Sequence, residues 1–356
     1  MKISFPHFGN YHIVFKTLFE GIGCDVVLSE KTTVKDIEEG AKISPELFCL
    51  PLKVNLGNYL HALKRGVDTF FMWENIKGSC RLRYYWMIQE KALHDVGFSN
   101  IKVLNFNGRN FFPRIKEIKE KNRTSWCRVI KTFLLSYQKL KLVEFLEERA
   151  RWLRPREIIR GETEWILIDT LKRLDRLQTG KELSKLKKEI EEKFQKIKIQ
   201  NNISPFEIGL IGEIYTVVDG AVNFDIEKKL GEMGAEVHRE MSLSYFIKQG
   251  IFPWREWKIQ KKIKPYLRST VGGHGADAIY EMLNYVKKNF DGVIHLLPFG
   301  CMPEVTVRPI LEKIHLESGI PFLSLSLDEQ VAEAGINTRL EAFVDVAKNH
   351  HNRKTT

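Results

Sequence analysis

Apolar residues recur along the first 110 positions in two alternating rhythms. Lys2–Phe5 is a short apolar run, and Tyr11–Gly21 then carries Ile13, Phe15, Leu18 and Phe19 at helical spacing before stopping at Gly21-Ile22-Gly23. Asp25–Leu28 is β-branched and predicts a strand. Leu56–Lys64 predicts a helix closed by Gly66. Val67–Trp73 is continuously apolar, as strands buried on both faces are. A helix over Arg81–His94 and a strand over Ile101–Phe106 complete the stretch. From Pro205 the rhythm returns: a strand over Glu207–Tyr215, a helix over Asn223–Met233 stopped by Gly234, and a further strand over Glu236–Met241. Then come a helix at Ala276–Asn289, a strand at Gly292–Leu297, a helix at Val305–Ser318, a strand at Phe322–Leu327 and a closing helix at Arg339–His350. Strands separated by helices of this length predict parallel sheets covered on both faces.

Between them the pattern changes. Residues 111–200 have almost no glycine and no strand-like run after Phe112. Leu183, Leu186, Ile190, Phe194 and Ile197 make one amphipathic stripe, and Trp165, Ile168, Leu171 and Leu174 make another. The expected fold is therefore α/β: two Rossmann-like parallel-sheet domains, 1–110 and 205–356, with a basic helical insert at 111–204.

Length and composition agree with this division. The 356 residues exceed one ordinary domain, and an apolar fraction of 43% supplies packed cores. No apolar run approaches the roughly 20 residues of a membrane helix. Pro6, His7 and Gly9 interrupt the N-terminal stretch where a secretory signal needs an unbroken apolar segment, so a cytoplasmic protein is expected. Five cysteines, an odd count, do not make a disulfide framework. The net charge of +11 is concentrated: residues 111–200 hold 24 Lys and Arg against 14 Asp and Glu, or +10. Arg149, Arg151, Arg154, Arg156 and Arg160 form the densest basic run, with Trp152 among them. A solvated helical face ranks first for this run, docking of an acidic partner second and nucleic acid last.

Three cysteines share a local setting. Cys49 directly precedes the helix near Leu56. Cys80 follows the strand Val67–Trp73 across the polar turn Glu74–Ser79 and opens a helix. Cys301 follows the strand Gly292–Leu297 across Pro298-Phe299-Gly300 and opens another. Carboxyl ends of parallel strands are where open α/β sheets place ligands, and a helix N-terminus favours thiolate, the form that binds metal. The spacing matches no compact metal motif, so three unrelated loop cysteines remain an alternative, as does a structural zinc site. Cys24, at a strand start, and Cys127, beside Trp126, read as structural.

Other residues carry a functional reading beside a plain one. Gly272-Gly273-His274-Gly275 precedes a helix and offers consecutive backbone N–H groups to an anion or to cluster sulfur; a tight turn explains it equally well. His274 is a candidate proton donor. Glu304, three residues after Cys301, is an acid/base candidate or a favourable charge at a helix start. His295 reads as a satisfied core histidine. Lys53 either balances a thiolate-ligated cluster or is simply solvated.

These motifs resemble a known superfamily. Cys49-Leu50-Pro51-Leu52-Lys53 with Gly57, and Pro298-Phe299-Gly300-Cys301-Met302-Pro303-Glu304, are similar to the first and last cysteine motifs of the iron–sulfur subunits of 2-hydroxyacyl-CoA dehydratases and benzoyl-CoA reductases. Thr338–Phe343 resembles their C-terminal helix. Gly212-Glu213-Ile214-Tyr215, Asn223–Gly231 and Val271–Gly275 resemble the activase-related, uncharacterised branch. The resemblance implies two Rossmann-like domains with one [4Fe–4S] cluster between them, held by Cys49, Cys80 and Cys301, with one iron free of protein thiolate. It implies an oxygen-sensitive, anaerobic enzyme of dehydratase or oxidoreductase type, fed by an ATP-dependent activase or another low-potential electron donor. A non-catalytic cluster carrier or electron relay is the alternative. The relatives work as pairs of unlike subunits, which leaves a homo- or heterodimer open. Cysteine is too scarce for a double-cubane cluster. No coenzyme A fingerprint and no ATP-binding phosphate loop stand out, and the small-molecule substrate stays unknown.

Overall fold

The computed structural model describes residues 1–28, 31–74, 80–252 and 254–355. The first α/β unit runs β1 (Lys2–Ser4), α1 (His12–Gly21), β2 (Asp25–Val26), α2 (Val34–Ile43), α3 (Leu50–Leu63), β3 (Thr69–Trp73), a 3-10 turn at Arg81–Tyr84, α4 (Tyr85–Asp95) and β4 (Lys102–Phe106). Four long helices follow: α5 (Phe111–Lys121), α6 (Trp126–Leu153), α7 (Glu162–Arg176) and α8 (Gly180–Lys196). The second α/β unit runs β5 (Phe206–Gly212), α9 (Ile214–Val218), α10 (Ile226–Glu232), β6 (Ala235–His238), α11 (Leu243–Ile251), α12 (Trp254–Ile263), α13 (Gly275–Lys287), β7 (Gly292–Pro298), α14 (Met302–Ser318), β8 (Phe322–Leu327) and α15 (Glu333–Thr355).

The two sheets share one topology. Their strand orders are β2-β1-β3-β4 and β6-β5-β7-β8, and all pairs are parallel. In each, the order reverses between the central strands, β1 and β3 or β5 and β7. That reversal opens a crevice at the strands' carboxyl ends, where such sheets hold ligands. Helices cover both faces, so the strands are nearly solid apolar runs; β7 is buried along its whole length.

The long helices knit the units together. α6 packs on α1 of the first unit and on β6, α10 and α11 of the second. Val143, Leu146 and Ala150 of α6 share one core with Ile208 and Leu210 of β5 and Tyr11 of the first unit. A buried ion pair at the seam joins Arg239 to Glu147 of α6 at 2.8 Å, and Asn10 of the first unit donates to the same carboxylate at 2.8 Å.

Several expected elements change at their ends. The strand expected through Tyr215 stops at Gly212, whose φ of +137° turns the chain into α9. The helix expected at Leu56 begins at Leu50, directly after Cys49, and the one expected at Val305 begins at Met302, directly after Cys301. In both, proline sits in the first helical turn, where its missing N–H costs nothing. On α8 the stripe Leu183, Leu186, Ile190 and Phe194 is buried. On α7 the expected stripe holds in its second half, where Leu174 is buried and Leu171 packs on the core, but Trp165 and Ile168 stay exposed and Thr163, Ile166, Leu167 and Thr170 face inward instead. Small Thr163 and Thr170, both fully buried, let the helix approach its neighbours more closely than tryptophan would allow.

The basic run is not a solvated face either. Arg151 pairs with Glu227, Arg154 with Glu164 and Arg156 with Glu236, while Arg149 and Arg156 stack on Trp152 at 4.4 and 4.5 Å. Much of its charge is therefore neutralised inside the chain. Among the described residues, no helix is long and apolar enough to cross a membrane.

Candidate functional site

The three cysteines occupy equivalent positions. Cys49 caps α3, Cys80 caps the 3-10 turn leading to α4, and Cys301 caps α14. Cys80 lies beyond the carboxyl end of β3 and Cys301 beyond that of β7, the two strands at the crevices. The polar turn expected before Cys80 falls on residues 75–79, outside the described residues. Cys49 and Cys301 are buried and Cys80 is half-buried.

One side chain joins the three loops. Arg81, next to Cys80, donates from Nη1 to the Leu47 carbonyl at 2.8 Å and from Nη2 to the Gly300 carbonyl. Its guanidinium also stacks on Phe48 at 4.7 Å. Leu47 and Phe48 precede Cys49, and Gly300 precedes Cys301. At Gly300, with φ +73°, a Cβ would lie 3.1 Å from the Leu47 carbonyl and 3.8 Å from the Cys49 nitrogen, so the Cys49 and Cys301 loops touch across the units.

The glycine loop closes the third side. Gly272 and Gly273 have φ of +73° and +51°. A Cβ on Gly273 would meet Pro303 at 2.8 Å and Cys80 Cβ at 3.7 Å; one on Gly275 would meet Val307 at 2.9 Å. Glycine is thus needed both for conformation and for close approach to the cysteine loops. His274 is buried at the start of α13, near Phe246, and burial lowers its pKa. Lys53 is engaged elsewhere: its ammonium lies 2.5 Å from Glu329.

The surroundings are dry and acidic. Burial pushes the Cys80 thiol up to about 12, and it also raises Cys49 and Cys301. The carboxylates of Glu213 and Glu304 add to this at Cys80 and Cys301, and Glu213 adds to it at Cys49. The helix-dipole expectation for free thiolates is therefore overturned by desolvation; these sulfurs ionise only if a cation takes the charge. Cys49 Sγ also lies 2.6 Å from the Tyr85 hydroxyl.

Glu304 is fully buried behind Cys301. Its Oε2 accepts from His295 Nε2 at 2.8 Å, and the Ser324 hydroxyl lies 3.3 Å from His295 Nδ1. Its second oxygen, Oε1, has no hydrogen-bond partner among the described residues. His295 is thus a core histidine that orients Glu304. Glu213, at the carboxyl end of β5, caps α9 by accepting from the Thr216 N–H at 3.0 Å, and burial first, then Glu304, raise its carboxyl to about 7. Asp277, one turn after His274, accepts from Tyr245 and Gln249 and is also pushed up to about 7 by burial. Sequence reasoning missed Arg81, Glu213, Tyr85 and Asp277 as site residues. Glu213 had a visible signal: it follows a strand-ending glycine and precedes a helix, the same context as Cys301.

Cys24 and Cys127 lie apart. Cys24 is buried against Asn122, and Cys127 is exposed on α6.

Two family models match. Residues 6–76 match the CoA enzyme activase uncharacterised domain, and residues 267–346 match 2-hydroxyglutaryl-CoA dehydratase, D-component. These two matches support the dehydratase/activase-related superfamily. The first match contains Cys49 and the second contains Cys301, so the superfamily segments coincide with the facing loops of the two units. No curated protein matches the chain. These matches support a dehydratase-like role.

Proposed function

We propose that Cys49, Cys80 and Cys301 hold one [4Fe–4S] cluster between the two α/β units, leaving one iron without a protein thiolate. The protein then performs low-potential reductive chemistry of the 2-hydroxyacyl-CoA dehydratase type, with electrons from an ATP-dependent activase. The observation that carries this reading is that three cysteines at N-cap positions from two units lie on loops tied together by Arg81. Family members of the dehydratase D-component type support the same cofactor.

The donor set fits a cluster better than a single ion. Four thiolates are usual for such clusters, and three leave a coordination position for a ligand. Tetrahedral zinc needs sulfurs about 3.8 Å apart, from Zn–S bonds of about 2.3 Å. The three thiols do not gather within 4.8 Å of one another. To act as ligands these buried thiols must lose their protons, and a strong cationic partner such as iron would drive that.

When bound, the cluster supplies a low-potential electron and an open iron position. The protein's own residues do the rest. Arg81 fixes the spacing of the three loops. Gly273 and Pro303 close the site against water beside Cys80. His295 holds Glu304 Oε2, leaving Oε1 as the buried oxygen that accepts or gives a proton in the site. His274, whose pKa burial lowers, would act at the same wall as a neutral proton relay.

The test is anaerobic purification with iron and sulfide counting and visible spectroscopy. Serine at Cys49, Cys80 or Cys301 should each abolish the brown chromophore, and serine at Cys24 or Cys127 should not. A colourless, iron-free protein after anaerobic reconstitution would sink the cluster. An electron-relay reading has one observation in its favour: Leu47, Phe299 and Met302, which flank the cysteines, are exposed. A relay would keep its reduced spectrum unchanged on titration with 2-hydroxyacyl-CoA thioesters, whereas the enzyme would not.

A further inference from the structure

The other end of the second sheet carries a second set of metal-ligating side chains. Glu207 on β5 and Glu236 on β6 are direct neighbours in the parallel register. His238, two residues after Glu236, is on the same face. One ligand atom from each of the three lies within 4.8 Å of the others. His238 Nε2 is 3.3 Å from Glu207 Oε1 and 3.3 Å from Glu236 Oε1. The nitrogen atom is itself shielded from solvent, although the His238 side chain is half-buried and ion-paired to both carboxylates.

Like charges placed directly opposite on a ladder are destabilising, so positive charge here is favoured, and Arg156 on Glu236 supplies part of it. Ligand atoms bound to one tetrahedral ion at about 2.0–2.2 Å stand about 3.4 Å apart, close to the separations found. Neighbouring groups hold the donors in place. Phe290 packs edge-on against the His238 ring at 4.9 Å. Arg156 takes the other oxygen of Glu236 at 2.5 Å, leaving Oε1 for an ion. Such supporting contacts tune metal sites. Glu207 and Glu236 line a cavity of about 430 Å³, which has room for water to complete the coordination. Glu207 lies at the start of β5 and Glu213 just beyond its end, so roughly 17 Å of strand separates this group from the cysteines.

We infer that Glu207, Glu236 and His238 bind a first-row divalent ion of the zinc or cobalt class through two oxygens and one nitrogen. The test titrates the full-length, anaerobically purified protein with Co(II), read by visible absorption and by metal counting after gel filtration. One cobalt per chain is expected with weak oxygen- and nitrogen-ligand bands, distinct from the intense sulfur charge-transfer bands that Cys49, Cys80 or Cys301 would give. His238→Ala and Glu207→Gln should each weaken that cobalt by about tenfold or more, and Cys301→Ser should leave it unchanged. Glu207 is the most exposed of the three ligands, so Glu207→Gln serves even if His238→Ala folds poorly. Cobalt appearing only in sulfur bands, or unchanged affinity in both variants, would overturn the site and leave an ion-paired histidine.

Discussion

Replacing Arg81 with methionine keeps most of its side-chain volume and removes its charge and donors. Two charge-assisted hydrogen bonds are lost, to the carbonyls of Leu47 and Gly300. Such bonds are worth about 1.5–3 kcal/mol each when buried. The Leu47 bond is exposed and the Gly300 bond half-buried, so the lower end applies to the second and less to the first. Stacking on Phe48 adds about 0.5 kcal/mol. The local loss is about 2–3 kcal/mol, and it falls on the three loops rather than on either sheet. The opening equilibrium of the cysteine loops should then rise by about 30- to 150-fold. Site-resolved alkylation of the cluster-free protein, quantified by mass spectrometry, reads this directly. Cys49 and Cys301 should label faster by that factor, while Cys24, held beside Asn122, should not change. Arg81→Lys should behave like the methionine variant, because one ammonium cannot reproduce the fork that spans two carbonyls. Equal labelling of Cys49 and Cys301 in variant and wild type would refute Arg81 as the tie between the units.

Two further outcomes follow from single contacts. Asp277 has its carboxyl raised from 3.8 to about 7 by burial; a raised carboxyl favours the protonated fold, so its contribution is full below about pH 4 and is lost as pH rises to about 7. Asp277→Asn keeps the acceptor for Tyr245 and Gln249, so urea melts should show equal stability near pH 4 and a variant more stable by up to about 4 kcal/mol near pH 8; a flat difference across pH would refute the burial argument. Gly212→Ala places a Cβ 1.9 Å from the Leu296 carbonyl at φ +137°, so the backbone between β5 and Glu213 must shift. A loss above about 2 kcal/mol is expected in denaturant melts, and a neutral result would mean the turn is not fixed by that contact.

What could be read from the chain depends on how local each signal was. Strand Phe322–Leu327 and the apolar face of α8 are self-contained patterns, and both are found where expected. Helix starts at Cys49 and Cys301 were displaced because the first turns, Leu-Pro-Leu and Met-Pro-Glu, carry little periodicity; the proline there is a start signal only once the cap is known. The inward face of α7 was invisible for a different reason. The expected stripe and the buried face share Leu174, and the rotation between them goes with Thr163 and Thr170, whose small size matters only against a neighbour.

The site followed the same division. That Cys49, Cys80 and Cys301 stand at helix starts, the last two beyond strand ends, is a local property, and it was legible. That Arg81 links them is not, because its partners Leu47 and Gly300 are 34 and 219 residues away. Nor could sequence reveal that desolvation outweighs the helix dipole at these thiols, since burial is set by both units together. The dipole argument treats a helix end as if it met solvent; these ends meet each other, with Glu213 and Glu304 between them. A dry, acid-flanked trio of thiols is a poor nucleophile and a poor redox disulfide. Protonated, Cys49 and Cys301 pack as small apolar groups in the core; only as thiolates would the trio need positive charge, which is what the proposed cluster would bring.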